Sequence, residues 1–274
     1  MGRDYKVGFI GCGNMGFAML KGIISSGKVD KSEIAAAEKF EASRKRVEEL
    51  GVFVTSDNAE LVQKTDVIFL VVKPHQQEEV LPEIRDNLSP DQILISVAAG
   101  VSLSSVEQAC MSIDVAGKIK VVRAMPNTPA LVGEGMTALS VNANITKEDE
   151  ELLLSYFNAF GRVQIVPESL MDVVTGVSGS SPAFVYMFIE AMADAAVAEG
   201  MTRAQAYEFA AQTVKGSAAM VLETNEHPGA LKDAVCSPGG TTIEGVCALE
   251  AAGFRPAVID GVRAATEKSR LMSK

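Results

Sequence analysis

Val7-Gly8-Phe9-Ile10-Gly11-Cys12-Gly13-Asn14-Met15-Gly16 decides the fold. Val7 to Ile10 is a short apolar run with the character of a buried strand. The glycine pattern follows at once and opens a helical pattern from Asn14 to Ser26. A GxGxxG alone is weak, because glycines are common. Placed between a strand and a helix, it has the context that a dinucleotide-binding turn requires. Gly11 permits the tight turn, Gly13 lets the backbone approach a pyrophosphate, and Gly16 lets the helix pack against the strand. The exposed amides and the helix dipole favour the negative charge. Gly11, Cys12, Gly13, Asn14, Met15 and Gly16 are therefore candidate cofactor-binding residues.

Outward from this turn, apolar runs alternate with helical patterns. Strands are expected at Ile34 to Ala37, Val52 to Val54, Val67 to Val72, Ile93 to Val97, Lys120 to Met125, Met136 to Val141 and Val163 to Val166. A charged helix is expected from Glu41 to Leu50. Continuous apolar runs mark strands covered on both faces, and alternation with helices argues for a parallel, doubly wound sheet of Rossmann-like type. Glu38 ends the second strand, where an acidic residue accepts hydrogen bonds from ribose hydroxyls and disfavours a 2′-phosphate. Lys39, Arg44 and Lys45 lie just beyond and can bind a phosphate, so the residues leave NADH and NADPH both open.

After Pro167 only helical patterns remain. One runs from Pro182 to Ala198 with apolar residues nearly all round, and is expected to be buried, Met187 and Met192 included. Gly200 ends it. Thr202 and Gln205 have capping-box spacing for a helix reaching Glu223, and a last helix spans Pro256 to Leu271. The expected architecture is α/β: a dinucleotide-binding domain over 1–166 and an all-helical domain over 167–274. A helix apolar all round suits packing against a second copy of the chain as well as against its own neighbours.

Composition narrows the function classes. The chain has 274 residues, 47% of them apolar, and a formal net charge of −10. That charge excludes a phosphate-tracking nucleic-acid sheath. Four cysteines without a CxxC pair, and only two histidines, make no metal site. Met1 to Lys6 runs straight into the first strand with no leader pattern, and no apolar run reaches the length of a membrane span. A cytoplasmic protein with free thiols is expected.

Further motifs are Val71-Val72-Lys73-Pro74, Ser96-Val97-Ala98-Ala99-Gly100 and Met125-Pro126-Asn127-Thr128-Pro129. In the helical part stand Val177-Ser178-Gly179-Ser180-Ser181-Pro182-Ala183 and Ser237-Pro238-Gly239-Gly240-Thr241-Thr242-Ile243, the latter preceded by His227-Pro228-Gly229. In identity and order these resemble pyrroline-5-carboxylate reductases over essentially the whole chain. The resemblance implies reduction of pyrroline-5-carboxylate to proline with NADPH or NADH, the last step of proline synthesis. It implies a helical domain that interleaves with a second subunit in a homodimer, with larger rings such as a decamer in the family. Asn58 matches a contact to the adenine-side ribose. Lys73-Pro74 and Ala98-Ala99 match loops lining the cofactor towards its nicotinamide end, and Val72 and Asn127 of the same motifs complete the cofactor-binding set. Ser237, Pro238, Gly239, Gly240, Thr241 and Thr242 match the substrate loop, Thr242 matching the hydroxyl that bonds the ring nitrogen. Glu168 matches a further position near the substrate. Three positions depart from the family pattern: Ser181 replaces the usual glycine, Glu38 stands where phosphate-accepting members have a small or polar residue, and Ala234 replaces an asparagine of some members.

The chemistry is consistent with these residues. A protonated cyclic imine needs no strong acid at hydride transfer, so an orienting hydroxyl suffices. Thr241 and Glu244 have capping-box spacing, which assigns Thr241 to the helix cap and leaves Thr242 for substrate. Gly239 and Gly240 leave amides bare for a carboxylate, although a Pro-Gly turn alone explains them as well. His75 reads as a solvated loop residue and His227 as a helix start. Among rival readings, a β-hydroxyacid dehydrogenase lacks its lysine here, since Val185 occupies that position. A non-catalytic dinucleotide sensor need not keep the Pro-Gly-Gly-Thr-Thr segment. A methyltransferase, which can share the glycine turn, is opposed by the resemblance alone.

Overall fold

The computed structural model describes residues 2–111 and 117–272. Eight strands form one sheet: β1 (Tyr5–Ile10), β2 (Ile34–Ala37), β3 (Phe53–Thr55), β4 (Thr65–Leu70), β5 (Ile93–Ser96), β6 (Lys120–Met125), β7 (Gly135–Val141) and β8 (Gly161–Ile165). Their order is β3-β2-β1-β4-β5-β6-β7-β8. The helices between them are α1 (Asn14–Ser26), α2 (Glu41–Glu48), α3 (Asn58–Gln63), α4 (Pro74–Ile84), α5 (Leu103–Ala109) and α6 (Lys147–Phe157). The expected strands are all present. One expectation about direction is corrected: β7 runs antiparallel to β6, with β8 parallel to β7. The loop from Asn127 to Glu134 reverses the chain there without a crossover helix, and only such a crossover could return it parallel.

Side-chain alternation explains why the central strands are apolar throughout. Val7 and Phe9 of β1, Val67 and Phe69 of β4, and Ile93 and Ile95 of β5 feed one core. Ile10, Ile68, Leu70 and Leu94 feed a second core on the opposite face. The Phe9 and Phe69 rings stack at 4.7 Å, and Phe69 leads on to Phe157 of α6 at 5.5 Å. Helices cover both faces, so the apolar residues of the central strands are buried on one side or the other.

The chain divides into two compact units, 1–179 with 265–274, and 180–264. The short α7 (Met171–Val174) follows β8 in the first unit. The second unit holds α8 (Ser181–Ala198), α9 (Arg203–Thr224), α10 (Pro228–Ala234), α11 (Thr241–Ala251) and the start of α12 (Phe254–Met272). Thr202 caps α9 through its hydroxyl, which accepts from the Gln205 amide. His227 caps α10 with Nδ1, accepting from the Gly229 amide at 3.0 Å. Gly200 takes a positive φ of 98° just past α8, as a helix terminator should.

Two expectations about the long apolar helix are corrected. Within the chain α8 is not buried: only Ala193 is covered, and Met187 is 68% exposed. Its neighbours α9, α11 and α12 cannot wrap a helix that is apolar on every side. Phe184, Phe188, Met192, Phe254 and Val258 line an open apolar groove of about 800 Å³. The other correction concerns length. Residues Glu168–Ala198 form one continuous run of 31 residues, long and apolar enough to cross a membrane by length and composition, with a mean hydropathy of 1.2 over an 18-residue window. Asp172, Glu190 and Asp194 break up the apolar pattern in sequence, which hides its extent.

Candidate active site

The site is built at the carboxyl ends of β1, β2 and β4, where the strand order turns back on itself. Gly11 continues β1, its amide donating to the Ala37 carbonyl at 3.0 Å. It has a φ of +88°, and a side chain there would press on the Val71 carbonyl. Gly16 lies in the first turn of α1, where a Cβ would overlap the Gly11 carbonyl oxygen. Gly13 precedes α1 as its cap residue, and a Cβ there would meet nothing within 4 Å. No side chain caps α1, so its first amides have no side-chain partner.

A cleft of about 550 Å³ lies beside this turn. It brings together Gly11, Gly13, Glu38, Lys39, Asn58, Val72 and Lys73 of the expected residues. Phe40, Ser43, His75, Gln76 and Glu79 also line it. None of these five belongs to a motif legible in the sequence: Phe40 and Ser43 lie at the start of α2, and His75, Gln76 and Glu79 in the first two turns of α4. His75 is corrected from a loop residue to the second residue of α4. Phe40, 69% exposed, presents an aromatic ring at the rim.

Glu38 is buried, 6% exposed, and both of its oxygens are engaged. Oε2 accepts from the Cys12 amide at 2.8 Å and Oε1 from the Phe40 amide at 2.9 Å. Arg46 donates to the Cys12 carbonyl at 2.8 Å and stacks over the Phe17 ring at 4.1 Å. Cys12 itself is fully buried, and burial pushes its thiol up to about 12. Asn58 donates to Glu83 at 3.0 Å, and Lys39 pairs with the same carboxylate at 3.5 Å. The Gln76 side chain accepts from the Lys73 amide at 3.0 Å, fixing the start of α4 with Pro74 in its first turn.

Other expected residues lie outside this cleft's lining. Asn14 and Met15 begin α1, and Ala98 and Ala99 follow β5. Asn127 is a backbone clip: its Nδ2 donates to the Ser178 carbonyl at 3.1 Å and its Oδ1 accepts from the Met136 amide at 2.9 Å. Ser178 sits in a π-helical turn, Thr175–Ser180, and a side chain at Gly179 would meet Met125 at 2.9 Å. Two motifs separate in sequence therefore meet here. Glu168 accepts from the Leu103 amide at 2.7 Å and pairs with buried Arg123 at 3.2 Å.

The Ser237 to Thr242 segment belongs to the second unit. Ser237 to Gly240 is a tight turn closed by the Gly240 amide on the Ser237 carbonyl at 3.0 Å, with Gly239 at a φ of +64°. The expected cap is corrected by one residue: Gly240 is the cap of α11, no side chain bonds the helix end, and Thr241 and Thr242 are the first two helical residues. The Thr241 hydroxyl is thus not consumed by the helix, and both threonines are exposed.

Comparison with known proteins places this arrangement. A family model described as pyrroline-5-carboxylate reductase dimerisation matches residues 168–272, and one described as NADP oxidoreductase, coenzyme F420-dependent, matches residues 6–100. The pyrroline-5-carboxylate reductase of Escherichia coli strain K12 is 51% identical, with 99% of each chain covered. The chain belongs to the pyrroline-5-carboxylate reductase family. The Methanosarcina acetivorans member is 46% identical, again over 99% of both chains. Among solved structures, the Coxiella burnetii reductase superposes with a TM-score of 0.91 at 34% identity over 99% of each chain. The Plasmodium falciparum reductase, solved with NADP bound, gives 0.85 at 34% identity over the whole of both chains. The Rossmann-like sheet and the helical dimerisation part are those of the family. The helical part serves oligomerisation, which accounts for the apolar surface that α8 leaves uncovered.

Proposed function

We propose that this protein reduces pyrroline-5-carboxylate to L-proline with NADH or NADPH, as the last step of proline biosynthesis. The observation that carries the reading is identity of 51% to the Escherichia coli enzyme over nearly the whole chain. The residues present fit a dinucleotide. Gly13 opens on free space, the first amides of α1 are uncapped, and the cleft runs on to Glu38 and Asn58. In this reading the glycine turn seats the pyrophosphate, Glu38 and Asn58 face the adenine-side ribose, and Phe40 offers its ring to the base. Lys73, Pro74, Ala98 and Ala99 flank the nicotinamide end, and Asn127 supports that end by holding the backbone.

When bound, the nicotinamide supplies the hydride. The chain supplies position. Thr242 presents a hydroxyl to the ring nitrogen of a substrate that already carries its proton, and the bare amides at the start of α11 seat the carboxylate. Ser237, Pro238, Gly239, Gly240 and Thr241 shape that seat, and Glu168 holds the entry to the helical part. We assign 1–166 to the dinucleotide-binding domain and 167–274 to the substrate and dimerisation domain. A dimer, assembled further into rings such as a decamer, and a cytoplasmic location complete the reading. The apolar run Glu168–Ala198 is then an interface helix. The test is an absorbance assay of NADH or NADPH oxidation with pyrroline-5-carboxylate. Absence of turnover with both cofactors would remove the assignment.

A further inference from the structure

We infer that Glu38 sets this reductase for NADH over NADPH. The inference rests on the dinucleotide reading above and adds the choice between the two nucleotides. The two differ by one phosphate monoester on the adenine ribose, which carries a charge of about −1.5 to −2 at neutral pH. What decides between them is the charge held at the end of β2.

The Glu38 carboxylate is held fast there. It lines the cleft, yet each of its two oxygens is held by a backbone amide, Cys12 at 2.8 Å and Phe40 at 2.9 Å. A freely rotating glutamate could swing aside for a phosphate. This one cannot do so without leaving two backbone donors unpaired, one of them in the glycine turn. A carboxylate has about four lone-pair sites, and each oxygen here spends only one on an amide. The remaining acceptors suit ribose hydroxyls and repel a phosphate.

The nearby cations are either paired or placed away from the ribose end. Lys39 lines the cleft but pairs with Glu83 at 3.5 Å, and that carboxylate also takes Asn58. Lys45 pairs with Glu41 at 2.7 Å along α2. Arg46 is turned under the glycine turn, on the Cys12 carbonyl and the Phe17 ring. Arg44 is not among the residues lining the cleft. Lys73 does line it, but follows β4, on the far side of β1 from Glu38. The ribose end is therefore net acidic, with Glu38 and Glu83 against Lys39.

The test is binding without substrate, read from nucleotide fluorescence on titrating the full chain with NADH and with NADPH. The NADPH dissociation constant should exceed that for NADH by about tenfold or more, the scale of one close like-charge contact at a partly buried site. Glu38→Gln should cut that ratio to about threefold or less. Glu83→Gln keeps an acceptor for Asn58 while releasing Lys39, and should also lower the ratio. It decides the matter should Glu38→Gln fail to fold. Equal or tighter binding of NADPH by the unaltered protein overturns the inference, as does a ratio that moves in neither variant. Binding of neither nucleotide would instead discard the dinucleotide reading, and this preference with it.

Discussion

At the residue scale, the three glycines of the turn divide their work by what surrounds them. Gly11 and Gly16 are packed against backbone, and Gly13 faces open space. Gly13→Val should therefore leave the melting temperature nearly unchanged while weakening nucleotide binding at least about tenfold, because the new side chain enters the proposed pyrophosphate seat. Titration and a thermal melt on one preparation check this, and undiminished affinity for both nucleotides would take the turn out of the mechanism. The same turn protects Cys12. Burial raises its thiol to about 12 and likewise that of Cys110, so both are neutral well above pH 8. A maleimide at pH 8 should leave these two unmodified in the folded protein and label them after denaturation, as mass spectrometry of the peptides would show. The pattern of glycines was legible in the sequence. The bracketing of Cys12 by Glu38 and Arg46 was not, because those contacts join β2 and α2 to the turn in space only.

At the element scale, apolar runs located every strand, since burial on two faces leaves an unmistakable mark in β1, β4 and β5. Direction leaves none, which is why β7 was expected to continue the parallel series. The start of α11 shows a similar boundary. Thr241 and Glu244 have the right spacing for a cap, yet the Pro-Gly-Gly turn brings the chain in one residue earlier, and Gly240 takes the cap position with backbone alone. Thr241→Ala should thus change stability by no more than about 0.5 kcal/mol, the usual range at an exposed site without such a role. Thr242→Ala should lower turnover of pyrroline-5-carboxylate about tenfold, the worth of one oriented hydrogen bond, while nicotinamide affinity holds. Its pH profile should keep its shape, because the imine nitrogen arrives protonated. Steady-state kinetics on both variants would expose an error of register if Thr241→Ala proved the damaging one.

At the scale of the whole molecule, the apolar girth of α8 was legible and its surroundings were not: a sequence shows that a helix needs cover without showing whose. Tyr186, Met187 and Phe209 are more than half exposed in the single chain, an arrangement a solitary protein would hardly tolerate. Light scattering should find no monomer at micromolar concentration, and a clean, fully active monomer would contradict the shared helical interface. The last helix carries a different consequence. α12 begins in the second unit, but residues 265–272 pack with the first, where the Ser269 hydroxyl donates to Asp172 at 2.6 Å and Met272 lies against Gly100. The nucleotide-binding unit is therefore discontinuous along the chain. On the ribosome its sheet can form early, but the piece that closes over residue 100 is translated only after the entire helical unit, so the first unit to begin folding is also the last to finish.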